Sequence, residues 1–249
     1  PGAATLSLNN SFINLLFGEA TDGFALQNVS TPHFGFLTHS PRAVLWEIEL
    51  DPYGTLDSGS PSAQRDRSFF TNATHSSVHL VWKAVQGTDL SVRITVDLPR
   101  DSAVTQWTAS LETQTLAINT FTYYPLHSVG SNDPANDHLL VPFAFGEAFT
   151  NPLRNRDNVV APYPSFMCPV QFMAWWHTGS VAACRREGCG LYFAAHDPAG
   201  NAKTLLYSKS QYSGSSALGI RVPLEDAGDP QRQRLPPFPV AVGVFAGEW

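Results

Sequence analysis

From Leu90 to Leu98 the chain reads Leu-Ser-Val-Arg-Ile-Thr-Val-Asp-Leu, apolar at every second position. Only an extended strand places residues i, i+2 and i+4 on one face, so this segment keeps one side on a core and the other in water. The same period recurs along most of the chain. Val78, Leu80 and Trp82 share a face within residues 77–83, and residues 105–112 continue the pattern. Residues 44–50 alternate and stop at the turn Asp51-Pro52-Tyr53-Gly54. Near the start, Leu6, Leu8 and residues 12–17 are strand-like up to Gly18, and residues 24–26 follow the turn signal Asp22-Gly23. Later segments at 170–176, 190–196, 205–208, 217–222 and 240–245 have the same character. Residues 131–138 and 227–239 are polar or proline-rich and read as loops, with Asp133 and Asp137 in turns. No stretch carries a sustained helical period, and no internal repeat is apparent. Many strands without helices between them imply antiparallel sheets packed face to face. The fold class is therefore all-β, a large antiparallel β-sandwich.

At 249 residues and 43% hydrophobic content the chain can bury a large core as one domain spanning 1–249. Charged residues make up 14%, aromatics 12%, and there are 19 prolines, a balance that suits short strands and tight turns better than helices with charged faces. A net charge of -6 argues against nucleic acid as a partner, because phosphate needs a basic face. Arg154, Arg156, Arg185 and Arg186 form only small local clusters. No apolar run is long enough for a membrane span. Residues 1–7 lack both a basic n-region and an apolar h-region, so any signal peptide is expected to have been removed.

Two features point to an extracellular, secreted protein. Three N-x-Ser/Thr sequons, at Asn9, Asn28 and Asn72, fall in the first third of the chain in stretches that read as turns or strand edges. Cys184-Arg-Arg-Glu-Gly-Cys189 places two thiols on either side of a polar turn, where a disulfide would fit an oxidising compartment and leave Cys168 as a buried thiol. The competing reading is a zinc site built from the three cysteines with His177 or His196, but the spacing matches no C-x2-C pattern. No metal and no cofactor are expected.

No complete catalytic site is visible. A serine elbow G-x-S-x-G and the Gly-rich phosphate loops are absent. Glycosidases commonly need two carboxylates facing each other across a sugar, yet most Asp and Glu residues here sit in turns or on wet strand faces. Glu147 differs, lying among apolar neighbours in Phe145-Gly-Glu-Ala-Phe149; it either binds backbone amides or an Arg, or touches substrate. A sugar epimerase would need a histidine acid with a carboxylate base, for which His177, His196 and Glu147 could serve only if the fold joined them. Aromatics are more informative, since sugar C–H faces stack on Trp and Tyr beside hydrogen-bonding groups. Trp175-Trp176-His177 ends an expected strand, so strict alternation sends one Trp to the core and the other outward, unless both pack between sheets. Tyr123-Tyr124-Pro125 carries the same ambiguity.

Three stretches together carry a resemblance. They are Leu139-Leu-Val-Pro142 with Gly146 and Asn151-Pro152; Tyr163-Pro164-Ser165 through Gln171-Phe172-Met173-Ala174; and Gly190-Leu191-Tyr192 with His196-Asp197-Pro198 and Lys203. Asn10, Gly23-Phe24 and Trp46-Glu-Ile-Glu-Leu50 are compatible with it, as is the close from Val242 to Trp249. The chain resembles the N-terminal β-sandwich region of large glycoside-hydrolase-like proteins in which a (β/α)8 barrel follows. That resemblance implies a galactose-mutarotase-like supersandwich, a barrel domain beyond Trp249 as partner, and catalytic residues on that barrel. No catalytic residue is therefore expected here. The expected role is an accessory domain of an extracellular glycoside hydrolase that supports the barrel and carbohydrate recognition, with Trp175, Trp176, His177 and Glu147 as candidate sugar contacts. The alternative is a non-catalytic, glycosylated structural module held to other extracellular chains.

Overall fold

The structure is a computed structural model that describes residues 5–20, 23–32, 34–36, 44–131, 133–143, 146–164, 170–179, 188–209 and 216–246. Among the described residues eighteen strands follow in chain order: β1 (Leu6–Asn9), β2 (Asn14–Ala20), β3 (Gly23–Ser30), β4 (Trp46–Leu50), β5 (Thr55–Asp57), β6 (Gln64–Thr71), β7 (His75–Lys83), β8 (Ser91–Pro99), β9 (Val104–Glu112), β10 (Ile118–His127), β11 (Asp137–Val141), β12 (Glu147–Thr150), β13 (Val159–Tyr163), β14 (Phe172–His177), β15 (Cys189–Ala195), β16 (Lys203–Lys209), β17 (Ser216–Pro223) and β18 (Val240–Ala246). One short helix, α1 (Pro152–Asn155), lies between β12 and β13. Among the described residues no helix is long and apolar enough to cross a membrane.

The strands form three antiparallel sheets. β1-β2-β3 make the smallest, β13-β16-β17-β10-β4-β5 a six-stranded sheet, and β12-β11-β14-β15-β18-β9-β8-β7-β6 a nine-stranded sheet. Alternation decides what meets between them. Val78, Leu80 and Trp82 on β7, with Val92, Ile94 and Val96 on β8, are fully buried on one face. Trp82 then receives Trp46 from the six-stranded sheet edge-on at 5.7 Å and Phe24 from the three-stranded sheet at 5.8 Å. Both smaller sheets thus lie against the same face of the large one, in the expected all-β sandwich. Most buried Trp find a partner for the N–H, although Trp46 Nε1 has none among the described residues. Trp82 Nε1 donates to the Ser58 carbonyl at 3.1 Å, and Trp107 Nε1 donates to Thr105 Oγ1 at 2.9 Å.

The stretch 131–138 is not a loop throughout. Residues 134–136 form a 3-10 turn, and Asp137 and His138 already belong to β11. Asp137 is fully buried rather than in a solvated turn, because its main chain pairs with His177 across β14.

Candidate functional site

The outer face of the nine-stranded sheet has two halves of different chemistry. On β7, β8 and β9 it carries Ser77, His79, Arg93, Thr95, Asp97, Gln106 and Thr108, the polar face that the alternation predicts. Ser77 Oγ donates to Asp97, and Thr95 hydrogen-bonds with His79 at 3.2 Å. On β18, β15, β14 and β11 the same face is aromatic. Register sets His138 beside Trp176, Trp176 beside Gly190, and Gly190 beside Phe245. The next row runs Leu140, Ala174, Tyr192, Gly243, and a third runs Phe172, Ala194, Ala241. On this face each ring of β14, β15 and β18 therefore has a Gly or Ala opposite it on at least one neighbouring strand. Small neighbours let the rings lie over the sheet. A Cβ on Gly190 would come within 2.2 Å of the Phe245 ring and 2.6 Å of the Trp175 carbonyl oxygen.

Polar groups are fixed around these rings. His138 stacks on Trp176 with centroids 5.1 Å apart and planes 14° from parallel. Its Nε2 hydrogen-bonds with Thr178 Oγ1 at 3.1 Å and its Nδ1 with Thr150 Oγ1 at 3.3 Å. Tyr192 lies 5.7 Å from Phe172, and its hydroxyl hydrogen-bonds with His196 Nε2 at 3.2 Å. Burial pushes the Tyr192 phenol above its ordinary range, so it stays a neutral donor and acceptor. Flat apolar faces edged by imidazoles and hydroxyls are what a pyranose ring requires.

The sequence candidates divide between the two faces. Trp176 lies on the outer, aromatic face and is half-buried. Trp175 and His177 point inward, with exposures of 2% and 1%. Glu147 opens β12 opposite Val141, an inward-facing position, and is half-buried. It stands four residues along β11 from the Asp137–His177 pair, about 13 Å at strand rise. His177 and Glu147 therefore do not meet as acid and base. His177 Nδ1 instead lies 3.0 Å from Asp137 Oδ1 and 3.2 Å from Ser131 Oγ, while Phe34 stacks on the ring at 5.9 Å. Both partners of this pair are sealed from solvent, with exposures of 1% and 0%, so it braces the β11–β14 end of the sheet.

A buried ion pair accounts for the His196-Asp197-Pro198 and Lys203 stretch. Lys203 Nζ donates to Asp197 Oδ2 at 2.7 Å, to Gln171 Oε1 at 3.0 Å and to the Asn201 carbonyl at 2.5 Å. It also sits over the Tyr163 ring at 4.3 Å and the Phe238 ring at 4.9 Å. Burial pulls the ammonium below its ordinary value against the opposing pull of Asp197.

Among the described residues no group of three or more His, Cys, Asp or Glu side chains could hold a metal ion. Cys189 opens β15 and is buried, whereas Cys184 and Cys168 lie outside the described residues, so the Cys184–Cys189 pairing does too. Asn9 ends β1, Asn28 lies within β3, and Asn72 stands in the turn between β6 and β7. Sequence reading did not single out His138 or Phe245, and it placed Asp137 in a turn. The parity signal for Phe245 was present, but only the register joins four strands into one aromatic surface.

No known family profile matches the chain. It is similar to a putative glycoside hydrolase of Monosiga brevicollis, 26% identical over 261 residues, which takes in 98% of this chain and 20% of that protein. Among solved structures it is similar to the alpha-N-acetylgalactosaminidase NagBb of Bifidobacterium bifidum, with a TM-score of 0.69 and 13% identity, covering 97% of this chain and 36% of that one. The GH36 alpha-galactosidase AgaA of Geobacillus stearothermophilus gives a TM-score of 0.61 at 10% identity, covering 98% and 41%. The match falls on the N-terminal β-sandwich domain of these enzymes, and the barrel is not in this chain. The chain thus has the β-sandwich fold that the resemblance implied. It spans about a fifth of the length of the curated relative and about two fifths of the solved enzymes.

Proposed function

We propose that this chain is the accessory β-sandwich of an extracellular glycoside hydrolase, contributing a carbohydrate-contacting surface beside a catalytic barrel carried on the same polypeptide. The observation that carries the reading is the aromatic half of the nine-stranded sheet, where Trp176, Tyr192, Phe172 and Phe245 share one outer face with His138 close by. Trp176 is the principal stacking candidate. Trp175, His177 and Glu147 support this surface from the inner side of the same sheet rather than touching sugar. Since the names of the solved neighbours specify alpha-galactosidase and alpha-N-acetylgalactosaminidase, galacto-configured glycans are the first ligands to test. The extracellular assignment rests on the sequons at Asn9, Asn28 and Asn72 and on a Cys184–Cys189 disulfide, which non-reducing peptide mapping would detect.

The test is calorimetric titration of the full polypeptide with galactose, N-acetylgalactosamine and their α-glycosides, repeated for Trp176→Ala. One aromatic stacking contact is worth about 0.5–1.5 kcal/mol, so affinity should fall about 2- to 12-fold while far-ultraviolet circular dichroism is unchanged. Unchanged affinity in Trp176→Ala removes this face from sugar recognition. The second reading, a non-catalytic module held to other chains, is favoured by apolar side chains exposed elsewhere, including Val160 at 59% and Phe143 at 38%. Failure to bind any of these glycans would leave that reading standing.

A further inference from the structure

β6 is the terminal strand of the nine-stranded sheet, pairing with β7 on one side and, among the described residues, with no strand on the other. An open edge is a template for pairing with another chain, and natural sheets guard it with inward-pointing charge or by covering it. The first half of β6 has such a guard. Arg65 and Arg67 stand opposite Trp82 and Leu80 on the inner side. Arg65 Nη2 donates to the Ser60 carbonyl at 2.7 Å, and the Arg67 guanidinium lies over the Phe24 ring at 5.7 Å. The second half has no charge at all: it runs Ser68-Phe69-Phe70-Thr71, with Phe69 47% and Phe70 52% exposed.

Immediately after this unguarded half comes the sequon Asn72-Ala73-Thr74. Asn72 Oδ1 accepts three hydrogen bonds, from the Thr74 amide at 2.8 Å, the Thr74 hydroxyl at 3.0 Å and the His75 amide at 2.9 Å. Arg100 clamps the Asn72 carbonyl through Nε at 2.9 Å and Nη2 at 2.6 Å. The oxygen of the side-chain amide is thus committed to the turn, while Nδ2 has no hydrogen-bond partner among the described residues. The other two sequons differ. Asn28 Nδ2 donates to Ser30 Oγ at 3.2 Å inside β3, and Asn9 Nδ2 donates to Ser7 Oγ at 2.9 Å.

Building on the extracellular reading above, we propose that Asn72 is the glycan-bearing sequon and that its glycan covers the unguarded half of the β6 edge. The donor class is a lipid-linked oligosaccharyl pyrophosphate. The Nδ2–C1 bond forms as the C1–O bond to pyrophosphate breaks; the lipid pyrophosphate departs with the electron pair, and the amide gives up one proton. All three bonds to Oδ1 survive the substitution. Phe70 and Phe69 are two and three residues away, about 7 and 10 Å along a strand, so the first sugars lie beside them.

The full protein, secreted from eukaryotic cells and purified without denaturation, is deglycosylated in heavy-oxygen water and mapped by peptide mass spectrometry. Label at Asn72 is expected. Label at Asn9 or Asn28 without Asn72 overturns this inference and leaves the extracellular reading intact, whereas no label at any sequon overturns that reading as well. Shielding is tested on the folded wild type by endoglycosidase trimming, which leaves the turn intact, with light scattering as the readout. Trimmed protein and Asn72→Gln should both show new higher-mass species, and adding Phe70→Lys to Asn72→Gln should remove them. An unchanged mass distribution after trimming overturns the shielding role.

Discussion

Lys203→Met is the perturbation whose outcome the structure constrains most tightly. The Lys203 and Asp197 side chains have exposures of 0% and 1%, so the variant leaves a carboxylate in the interior without its counter-charge. Removing one member of a buried pair costs about 3–5 kcal/mol. The carboxylate is not stranded, however. Asp197 Oδ1 still accepts from the Ala199 amide at 3.0 Å and from Asn201 Nδ2 at 3.0 Å, and Oδ2 still accepts from the Asn201 amide at 2.6 Å. Met also occupies most of the volume between Tyr163 and Phe238. The loss should therefore fall at the lower end, about 3 kcal/mol, and at roughly 2–4 °C per kcal/mol for a chain of this size the midpoint should drop by about 6–12 °C. Urea unfolding followed by tryptophan fluorescence reads the free energy directly. Asp197→Asn combined with Lys203→Met removes both charges and should recover about half of the loss, a coupling that the double-mutant cycle isolates. The pH dependence has a definite sign. Burial pushes the Asp197 carboxyl up, but the Lys203 hydrogen bond and charge and the Asn201 and Ala199 amides outweigh it, leaving the group below its ordinary 3.8. Its contribution is thus fully present above that value and disappears as pH falls through the lower folded value. Lys203→Met should lose most of this acid-side dependence. A Lys203→Met loss under about 1 kcal/mol, or a double variant as unstable as the two single losses added, would refute the argument.

Adjacent tryptophans should respond in opposite ways. Trp175→Ala opens a cavity in the core and should cost about 3–5 kcal/mol in urea unfolding, while Trp176→Ala on the outer face should cost less than half as much. Gly190→Ala should displace the Phe245 ring and cost about 1–3 kcal/mol, because the new methyl also meets the Trp175 carbonyl oxygen; chemical shifts of the Phe245 ring would report the movement. Asp89 accepts from Thr113 Oγ1 and Thr115 Oγ1 at 2.6 Å each and from the Gln114 amide at 2.7 Å, bonds that hold its pKa down at about 2. Its stabilisation is fully present above 3.8 and is lost as pH falls towards about 2, so the stability gap between wild type and Asp89→Asn should close across that window in acid unfolding titrations.

Where strands are half wet, sequence and structure agree closely. The expected 77–83, 90–98 and 105–112 became His75–Lys83, Ser91–Pro99 and Val104–Glu112, because alternation of charge and hydrocarbon is itself the physical cause of one-sided burial. β6 escaped notice for the opposite reason. Its inward positions carry Arg65 and Arg67, so the apolar period that would mark a strand is replaced by edge-guarding charge. β10 was hidden by Pro125, which normally argues against a strand interior; the pairing with β17 slips between Tyr123 and Leu126, and a break of that kind is where a sheet tolerates proline. Asp137 stood in Ser-Asn-Asp-Pro-Ala-Asn-Asp-His, where all but Ala135 and His138 favour turns, and only its pairing with His177, forty positions on, made it a strand residue.

The candidate site was legible as residue types but not as a surface. Parity alone states that one of Trp175 and Trp176 faces out, and it cannot say which, since a one-residue slip exchanges the two faces. The choice is made by long-range register: Trp175 pairs with Leu139 and Leu191, both wholly buried, which commits its odd-numbered neighbours Met173 and His177 to the core and Trp176 to the exterior. The same register brings His138, Trp176, Gly190 and Phe245 into one row although they span more than a hundred positions in the chain. A glycine between two large rings looks like a weakness in an isolated strand. Across strands it is what leaves room for the Phe245 ring over Gly190, so the aromatic surface depends on Gly190 as much as on the rings themselves.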